Sequence, residues 1–453
     1  MDAKTAIETI MERSLRVIRM FSWLLDLYVL DFFVDNHWDK LPRCWQESLF
    51  DIDPQDLGKI LSGKPINQVL PLSLLSLLTT VKALSIERKP VSVKENNKIK
   101  DTGYGSNPKL DNLFIKHVKL KKRHEIGVMA DCMQVSLETG CTGVVDFGSG
   151  VGHLVRLLGY KYGLNTAGIE KQPQLTQEAR RLDQEFEYTA RKHSSNPLPT
   201  PTHITSTLTS HNNLPDLSLN LNHFGLIGLH PCGDLGPLLI KHFATNSNIK
   251  FLTIVGCCYM KLSDAGYPLS GFVKGLAGNS LSYVSREIAC HAVEVYCDRL
   301  VAGNYHDLKV HAYRAALELV LAGAGHAHAQ VRSVRHTPTL SFERYLRHTP
   351  QRSGLPVRNV HVNLCPSYCS AALDKLDICV SPSLVSQAQA HVGGWQRVLS
   401  VYSLRLSVAP LVETVLLLDR LLYLIERGIS CEIRPVFDPR ISPRNHIIIG
   451  KKI

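Results

Sequence analysis

One glycine-rich stretch, residues 144–154, constrains the fold of this chain more than any other part of it. It reads Val-Val-Asp-Phe-Gly-Ser-Gly-Val-Gly-His-Leu, so an acid and three alternating glycines follow two β-branched residues. β-branched residues favour a strand, and glycines allow positive φ or the close approach of a ligand. Apolar residues at helical spacing follow directly. The stretch predicts a strand, a tight ligand-binding turn and a helix; a glycine-rich turn without a ligand is the alternative.

The rest of the chain continues this alternation of strands and helices. Buried-type apolar runs predict strands at residues 143–147, 166–170, 203–208, 224–229, 251–255, 430–437 and 446–450. The first five are expected to be parallel, and the last two to form an antiparallel hairpin. Glu170 ends the second strand, where a carboxylate can accept hydrogen bonds from ribose hydroxyls.

Composition changes along the chain predict five segments. They are an N-terminal helical domain (1–90) that opens with one long helix (5–34), a linker (91–108), the first part of an α/β core (109–267), an inserted, mainly helical lobe (268–400), and the last helix and final two strands of the core (401–453).

The 453 residues are 44% hydrophobic and 20% charged, which indicates a folded globular protein. Apolar stretches at 17–34 and 408–425 each contain three charged residues, so we expect no transmembrane segment, although a hydropathy program could flag either one. Twelve cysteines without a secretory signal predict reduced thiols in the cytoplasm or nucleus.

A formal net charge of +11 suggests a polyanionic partner. Basic residues are concentrated at 116–123, just before the glycine-rich stretch. A solvated surface is the simpler interpretation of such a run. Its position beside the predicted ligand site favours a substrate contact instead.

Polar side chains follow strands 4 and 5 at their carboxyl ends, where ligands bind in open α/β sheets. They are His230, Cys232, Asp234, Cys257, Cys258 and Tyr259. One interpretation is packing by small apolar thiols. A second is an acceptor pocket in which His230 takes or steers a proton and Asp234 or Tyr259 places the substrate. A third is tetrahedral zinc, but adjacent cysteines seldom ligate one ion comfortably, so we predict no metal ligands. His361, Cys365 and Cys369 lack an evident fourth ligand and are not assigned to a metal either.

Several motifs together resemble the methyltransferase-like protein 25 family. They are Lys-Lys-Arg-His-Glu at 121–125, the glycine-rich stretch, Gly-Leu-His-Pro-Cys-Gly-Asp-Leu at 228–235, Val-Gly-Cys-Cys-Tyr-Met-Lys-Leu-Ser at 255–263 and Ser-Pro-Arg-Asn at 442–445. The resemblance implies an α/β fold: a class I (Rossmann-like) methyltransferase core with a mainly parallel seven-stranded sheet in the order 3-2-1-4-5-7-6. S-adenosyl-L-methionine is the implied cofactor. The expected cofactor-binding residues are Asp146, Gly148, Ser149, Gly150, Gly152, His153 and Glu170.

The same resemblance implies an S-adenosylmethionine-dependent methyltransferase. The His-x-Cys-Gly and Cys-Cys elements are specific, because they are also similar to those of transfer-RNA ribose methylases. The expected acceptor is RNA. The expected catalytic residues are the six polar residues after strands 4 and 5. The expected substrate-binding residues are Lys119, Lys121, Lys122, His124, Arg444 and Asn445. A protein methyltransferase on the same scaffold and a catalytically inactive binding protein are the alternatives.

Overall fold

The computed structural model describes most of the chain. The described residues are 2–91, 102, 107–116, 118–193, 200–209, 223–329, 331, 337, 339–352, 357–358, 378–379 and 381–452. The predicted linker therefore lies largely outside them, and His361, Cys365 and Cys369 lie outside them entirely.

The chain forms two compact units. The sheet unit comprises Met1–Arg19, Leu84–Ala292 and Pro410–Ile453, and the helical unit comprises Met20–Ala83 and Val293–Ala409. This division differs from the five predicted segments, because residues 20–83 share one unit with residues 293–409, most of the lobe expected at 268–400. Helical periodicity marks each helix but carries no information about which distant helix it packs against.

The α-helices of the described residues follow in chain order. They are α1 (Ala3–Met20), α2 (Ser22–Leu25), α3 (Arg43–Leu49), α4 (Pro54–Leu61), α5 (Leu72–Leu84), α6 (Pro108–Ile115), α7 (Leu120–Asp131), α8 (Gln134–Glu138), α9 (His153–Arg156), α10 (Pro173–Ala190), α11 (Leu235–Thr245), α12 (Gly271–Gly275), α13 (Tyr283–Ile288), α14 (Val293–Val301), α15 (His306–Gly323), α16 (Phe342–Arg352), α17 (Pro382–Val392) and α18 (Trp395–Ile425).

Seven strands form the main sheet. They are β1 (Gly143–Phe147), β2 (Asn165–Glu170), β3 (Thr202–Thr205), β4 (Phe224–Gly228), β5 (Ile249–Val255), β6 (Ser430–Pro435) and β7 (His446–Lys451). Their order is β3-β2-β1-β4-β5-β7-β6, with β7 antiparallel to both β5 and β6 and the other pairs parallel. This order confirms the predicted class I methyltransferase fold.

The centre of the sheet is buried on both faces. Every residue of β1 and β4 is buried, as expected for parallel strands covered by helices. Phe186 and Phe437 belong to the core on one face, and Phe243 and Leu424 to the core on the other. Burying each of these side chains stabilises the fold by roughly 1.5–3 kcal/mol. The two cores fix the carboxyl ends of β1, β4 and β5, where the predicted site residues lie.

The expected long helix at 5–34 is interrupted. Helix α1 ends at Met20, α2 ends at Leu25, and Tyr28 is extended with φ −68° and ψ 124°. In the segment that follows Met20, the side chains of Leu24, Leu25, Leu27 and Val29 are all buried. A straight amphipathic helix buries only one face, so the chain bends here to bury consecutive apolar residues.

Close helix contacts hold the helical unit together. In α4, a β-carbon added at Gly58 would lie 2.9 Å from Cβ of Leu300 in α14, so only glycine allows these helices to approach so closely. The unit also contains a two-residue parallel pairing of Val357–Arg358 with Ile378–Cys379.

The apolar stretch near the C-terminus is part of α18, and its charges have protein partners. Asp419 accepts hydrogen bonds from the backbone N–H groups of Leu269 and Ser270 at 2.7 and 2.9 Å. Glu413 accepts one from Tyr259 at 2.9 Å. Within the residues that the structure describes, no helix combines the length and the apolar character needed to cross a membrane.

Candidate active site

The glycine-rich turn after β1 has the geometry that its sequence predicts. Gly148, Gly150 and Gly152 have φ values of +76°, +59° and +73°, in the left-handed region where other residues are strained. The N–H of Gly148 donates to the carbonyl of Ile169 in β2 at 2.8 Å. The turn is therefore anchored to the neighbouring strand before α9 begins.

An opening lies beside this turn, next to two acidic residues. A β-carbon added at Gly150 would meet no atom within 4 Å, so the turn leaves an opening. Asp146 is 4% exposed, and its Oδ1 has no hydrogen-bond partner in the described part of the chain. Glu170 accepts hydrogen bonds from the N–H groups of Gly150 at 3.1 Å and Gln172 at 3.0 Å, which fixes its carboxylate at the same edge. We call Asp146, residues 148–152 and Glu170 the donor cradle.

The buried Asp146 has an unusual protonation equilibrium. Burial raises its pKa from 3.8 to about 7; Lys122 opposes the shift and Glu170 adds to it. Burial also lowers the pKa of Lys122, which lies within electrostatic range of Asp146, Glu125 and Cys257. An unpaired carboxylate oxygen in this position would be satisfied by a cationic or hydrogen-bond-donating ligand.

A buried polar network supports the cradle from behind, and the sequence did not predict it. Asp183 of α10 accepts hydrogen bonds from Arg156 Nε and His203 Nε2, both at 2.6 Å. Arg156 also donates to the carbonyl of Val151 at 3.2 Å, inside the glycine-rich turn. A β-carbon at Gly152 would lie 2.6 Å from the His203 ring. The network therefore positions the turn, and its members are too far apart in sequence to form a motif.

Two predicted cofactor residues have other surroundings. Nδ1 of His153 lies 3.3 Å from Arg156, and His153 also lines a small cavity with Leu113 and Phe186. The His153 side chain therefore contacts Arg156 and a cavity that Phe186 of α10 also lines. The Ser149 side chain packs over Gly168 of β2, where an added β-carbon would lie 2.8 Å from its Oγ. Ser149 contributes to the turn through packing.

The polar residues after β4 and β5 meet, as predicted from the sheet order. Sγ of Cys232 lies 3.6 Å from Sγ of Cys257 and 3.1 Å from Sγ of Cys258, and the sulfurs of Cys257 and Cys258 are 3.4 Å apart. Nδ1 of His230 lies 3.6 Å from Sγ of Cys257. Cys257 is buried, whereas Cys232 is exposed and Cys258 is half-buried. We call these three cysteines the thiol cluster.

Glu125 joins this group, although the sequence did not identify it as a site residue. It is 1% exposed on α7, and its two carboxylate oxygens lie 3.0 Å from His230 Nε2 and 2.7 Å from Ser442 Oγ. Burial raises the pKa of Glu125, but the hydrogen bonds from His230 and Ser442 outweigh it and lower the pKa to about 2. Because an ionised carboxylate only accepts, His230 donates through Nε2 and leaves Nδ1 facing the thiol cluster.

The three thiols are electrostatically unequal. Hydrogen bonding from Cys257 and Cys258 lowers the pKa of Cys232 to about 5, against a smaller opposing effect of burial. Donation to Cys232 and burial both raise the pKa of Cys257, and burial raises that of Cys258. The negative charge of the thiol cluster therefore rests on Cys232, its most exposed member.

Two predicted catalytic residues make structural contacts. Tyr259 is 0% exposed, and its hydroxyl donates to Glu413 at 2.9 Å. Asp234 accepts hydrogen bonds from the N–H and hydroxyl of Ser263 at 2.9 and 2.5 Å. Tyr259 is thus tied to α18, and Asp234 connects the turn after β4 to the loop after β5; their catalytic roles stay predictions.

The predicted substrate-binding residues divide into two groups. Lys119 and Lys121 are exposed at the start of α7, whereas Lys122 is half-buried near Asp146. Asn445 is 0% exposed and donates to the carbonyls of Arg88 and Phe437, so its side chain is occupied within the protein; its role as a substrate contact stays a prediction.

The remaining two members of that set are bound to the backbone of the sheet unit. His124 Nε2 accepts a hydrogen bond from the N–H of Asp438 at 3.0 Å. Arg444 NH1 donates to the carbonyl of Cys290 at 2.7 Å. Both half-buried residues therefore hold the loop between β6 and β7, and contacts of this kind cannot be seen in a local sequence pattern.

The site lies in a part of the chain that matches a known family. Residues 121–265 match the model of a family described as a methyltransferase domain. They contain most of α7, the donor cradle and the thiol cluster. This match supports S-adenosyl-L-methionine as the cofactor.

Named proteins show the same likeness. The chain is 27% identical over 273 residues to the human "probable methyltransferase-like protein 25", which covers 55% of this chain and 40% of that protein. The mouse protein of the same name is 26% identical over 271 residues, covering 55% and 41%. The alignments thus span about two fifths of the length of these relatives.

A solved structure is also similar, at a much greater distance. The crystal structure of coclaurine N-methyltransferase bound to N-methylheliamine and SAH is 11% identical, with a TM-score of 0.23, and the match covers 99% of this chain and 100% of that chain. So low a score carries no argument about this chain. The resemblance seen in the sequence is confirmed at the level of the family: over about half of its length, this chain is similar to proteins named probable methyltransferase-like protein 25.

Proposed function

We propose that this chain transfers the methyl group of S-adenosyl-L-methionine to an acceptor in RNA. The observation that carries the methyl-transfer part is the donor cradle, in which buried Asp146 presents an oxygen without a partner in the described residues beside an open glycine-rich turn. A buried polar atom without a partner costs free energy that a bound ligand can recover.

The residues of the cradle would divide the binding task. Asp146 would accept a hydrogen bond from a donor group of the ligand, and Glu170 would accept hydrogen bonds from ribose hydroxyls. The turn formed by residues 148–152 would leave room for the ligand against its backbone. The cofactor supplies an electrophilic methyl group, so the main task of the chain is to align the acceptor with it.

The acceptor would enter at the carboxyl ends of β4 and β5, where the thiol cluster lies. Lys122 lies within electrostatic range of both Asp146 and Cys257. That shared neighbour supports placing the donor cradle and the thiol cluster on two sides of one site. The role of His230 in positioning the acceptor or its proton stays a prediction from the sequence.

Support for RNA comes from charge. The chain carries a formal net charge of +11, and Lys119 and Lys121 are exposed on the helix that also bears Glu125. Exposed cations next to an active site attract phosphates and raise the rate of encounter with a polyanion. The arginines of residues 332–358 belong to the helical unit and lie partly outside the described residues, so they do not contribute to this argument.

The acceptor class can be tested with tritiated S-adenosylmethionine and cell lysate. Lysate is treated with RNase, with protease or with neither before the purified chain is added. We expect incorporation that RNase abolishes and protease leaves in place. The reverse pattern would assign a protein acceptor, and no incorporation in any sample together with donor binding would favour the inactive binding protein.

A further inference from the structure

We propose that Cys232, Cys257, Cys258 and His230 bind one Zn²⁺ ion at the carboxyl ends of β4 and β5. This inference goes beyond methyl transfer and does not depend on it. Among the described residues, the three cysteines form a compact group whose ligand atoms all lie within 4.8 Å of one another. His230 lies beside this group rather than within it: its Nδ1 is 3.6 Å from Sγ of Cys257, and the ring must turn towards the other two sulfurs to complete the site.

The sulfur–sulfur distances, and the one distance from His230 to Cys257, are close to those of a tetrahedral zinc site. With Zn–S bonds of about 2.3 Å and a Zn–N bond of about 2.0–2.1 Å, tetrahedral geometry puts two sulfurs about 3.8 Å apart and a sulfur and a nitrogen about 3.6 Å apart. The three S–S distances are 3.1, 3.4 and 3.6 Å. The distance from Cys257 Sγ to His230 Nδ1 is 3.6 Å. Three thiolates and an imidazole favour Zn²⁺ over cations such as Mg²⁺ that prefer oxygen ligands.

The backbone removes the objection that adjacent cysteines seldom share an ion. Cys258 has φ +47° and ψ 52°, a left-handed conformation that is rare for a residue other than glycine. In this conformation the sulfurs of Cys257 and Cys258 lie 3.4 Å apart. Such strained residues are concentrated at functional sites, where the surrounding structure enforces them.

The two loops that carry the sulfurs are also built to stay together. A β-carbon at Gly233, directly after Cys232, would lie 2.9 Å from the carbonyl oxygen of Lys261. Asp234 then accepts two hydrogen bonds from Ser263. Close packing of this kind holds the Cys232 side chain against the turn that bears the other two thiols.

Glu125 completes the arrangement. Zinc-bound histidines usually donate their second ring N–H to a carboxylate, which fixes the ring and strengthens the ligand. Nε2 of His230 makes this contact with Glu125 at 3.0 Å and leaves Nδ1 for the ion. Exposed Cys232 and half-buried Cys258 provide the path by which the ion enters. In this arrangement His230 is a ligand rather than the general base that the sequence suggested.

The primary test is the metal content of the full chain. The protein is purified under reducing conditions without chelator, and its zinc is measured by inductively coupled plasma mass spectrometry. We expect about one zinc per chain in the wild type. We expect Cys232→Ser and Cys258→Ser to lose most of it, and Cys290→Ser to keep it. Cys290 is a matched control because its thiol lies in the same unit but contacts Met260 and the carbonyl of Arg286. Wild-type protein without zinc, or Ser variants that keep it, would overturn the proposal.

A second measurement tests the metal site on the wild type itself, with one variant added for comparison. The wild type is stripped with chelator, checked for its native circular dichroism spectrum and titrated with Co²⁺ in place of zinc. We expect tetrahedral d–d bands and intense thiolate-to-cobalt charge transfer that saturate at one equivalent. Glu125→Gln should weaken Co²⁺ binding by about 10–100-fold. Saturation without thiolate charge transfer would overturn the proposal, as would an intramolecular Cys232–Cys258 disulfide in freshly purified protein.

Donor binding is recorded on the same samples, so the two proposals fail separately. A chain that binds zinc but does not bind S-adenosylmethionine would contradict the proposed function and leave the zinc site standing. A chain that binds S-adenosylmethionine but no metal would contradict the zinc site alone.

Discussion

The carboxylate of Glu125 lies 3.0 Å from Nε2 of His230, so α7 and the carboxyl end of β4 are joined by a charge-assisted hydrogen bond. The same carboxylate accepts a hydrogen bond from Ser442 in the loop between β6 and β7 at 2.7 Å. One buried side chain therefore connects three segments around the thiol cluster. Removing such a buried, hydrogen-bonded group costs more free energy of unfolding than removing a surface ion pair.

Replacing Glu125 tests this connection. Glu125→Ala leaves the buried polar groups of His230 and Ser442 without their acceptor, and we expect the free energy of unfolding to fall by about 1–3 kcal/mol. Glu138→Ala is the matched control, because it removes only a surface ion pair with Lys451 and should change stability by less than about 0.5 kcal/mol. Urea unfolding of both variants makes the comparison. Equal losses of unfolding free energy in the two variants would show that the hydrogen bonds of Glu125 do not stabilise the fold more than a surface ion pair does.

Asp146 gives a prediction about pH. Burial raises its pKa from 3.8 to about 7, so the folded chain holds this proton more tightly than the unfolded chain. Its contribution to stability is therefore present at low pH and is lost as the pH rises from about 4 to about 7. Without cofactor, we expect the free energy of unfolding of the wild type to fall, relative to Asp146→Asn, by on the order of 2–3 kcal/mol between about pH 5 and about pH 8.

Urea titrations at several pH values measure this difference. Asp264→Asn, which removes an exposed carboxylate, is the control for a change of surface charge. Wild type and Asp146→Asn with parallel pH profiles would contradict the raised pKa.

The sequence predicted best where the signal was local. The strand, the three glycines and the helix after them form one continuous pattern, and the structure places all three glycines at positive φ. The meeting of Cys232 with Cys257 and Cys258 was also predictable, because strand order brings the ends of β4 and β5 together. Both inferences depend on backbone geometry that short motifs determine.

The sequence failed where the outcome depended on distant packing. Arg156, Asp183 and His203 form one buried network but share no spacing that marks them as a group. Tyr259 lies next to two site cysteines, yet its side chain turns to Glu413 of α18. Asn445 lies in a polar motif, yet its side chain is fully buried. A linear pattern shows which residues are polar but not which of them water can reach.

The RNA proposal predicts a salt-dependent affinity. Each phosphate neutralised by Lys or Arg on a single strand lowers the logarithm of the association constant by about 0.7 per tenfold increase in salt. We expect the variant with both Lys119→Glu and Lys121→Glu to bind RNA more weakly and with a shallower salt dependence than the wild type. Lys274→Glu, at an exposed position on α12, is the control and should leave the slope unchanged. Fluorescence anisotropy at several salt concentrations measures both, and a salt-independent affinity would contradict the proposal.

The central claim is that the turn after β1 and its flanking acids bind S-adenosylmethionine. Calorimetric titration of the full chain with this cofactor tests it most directly. We expect one site per chain in the wild type and no measurable binding by Gly150→Val. Gly127→Ala on α7 is the control and should bind like the wild type, because its added methyl group would meet no atom within 4 Å. At about 100 times the dissociation constant, the cofactor should raise the free energy of unfolding of the wild type by about 2.7 kcal/mol. Absence of heat and of stabilisation at millimolar cofactor in the wild type would contradict the account.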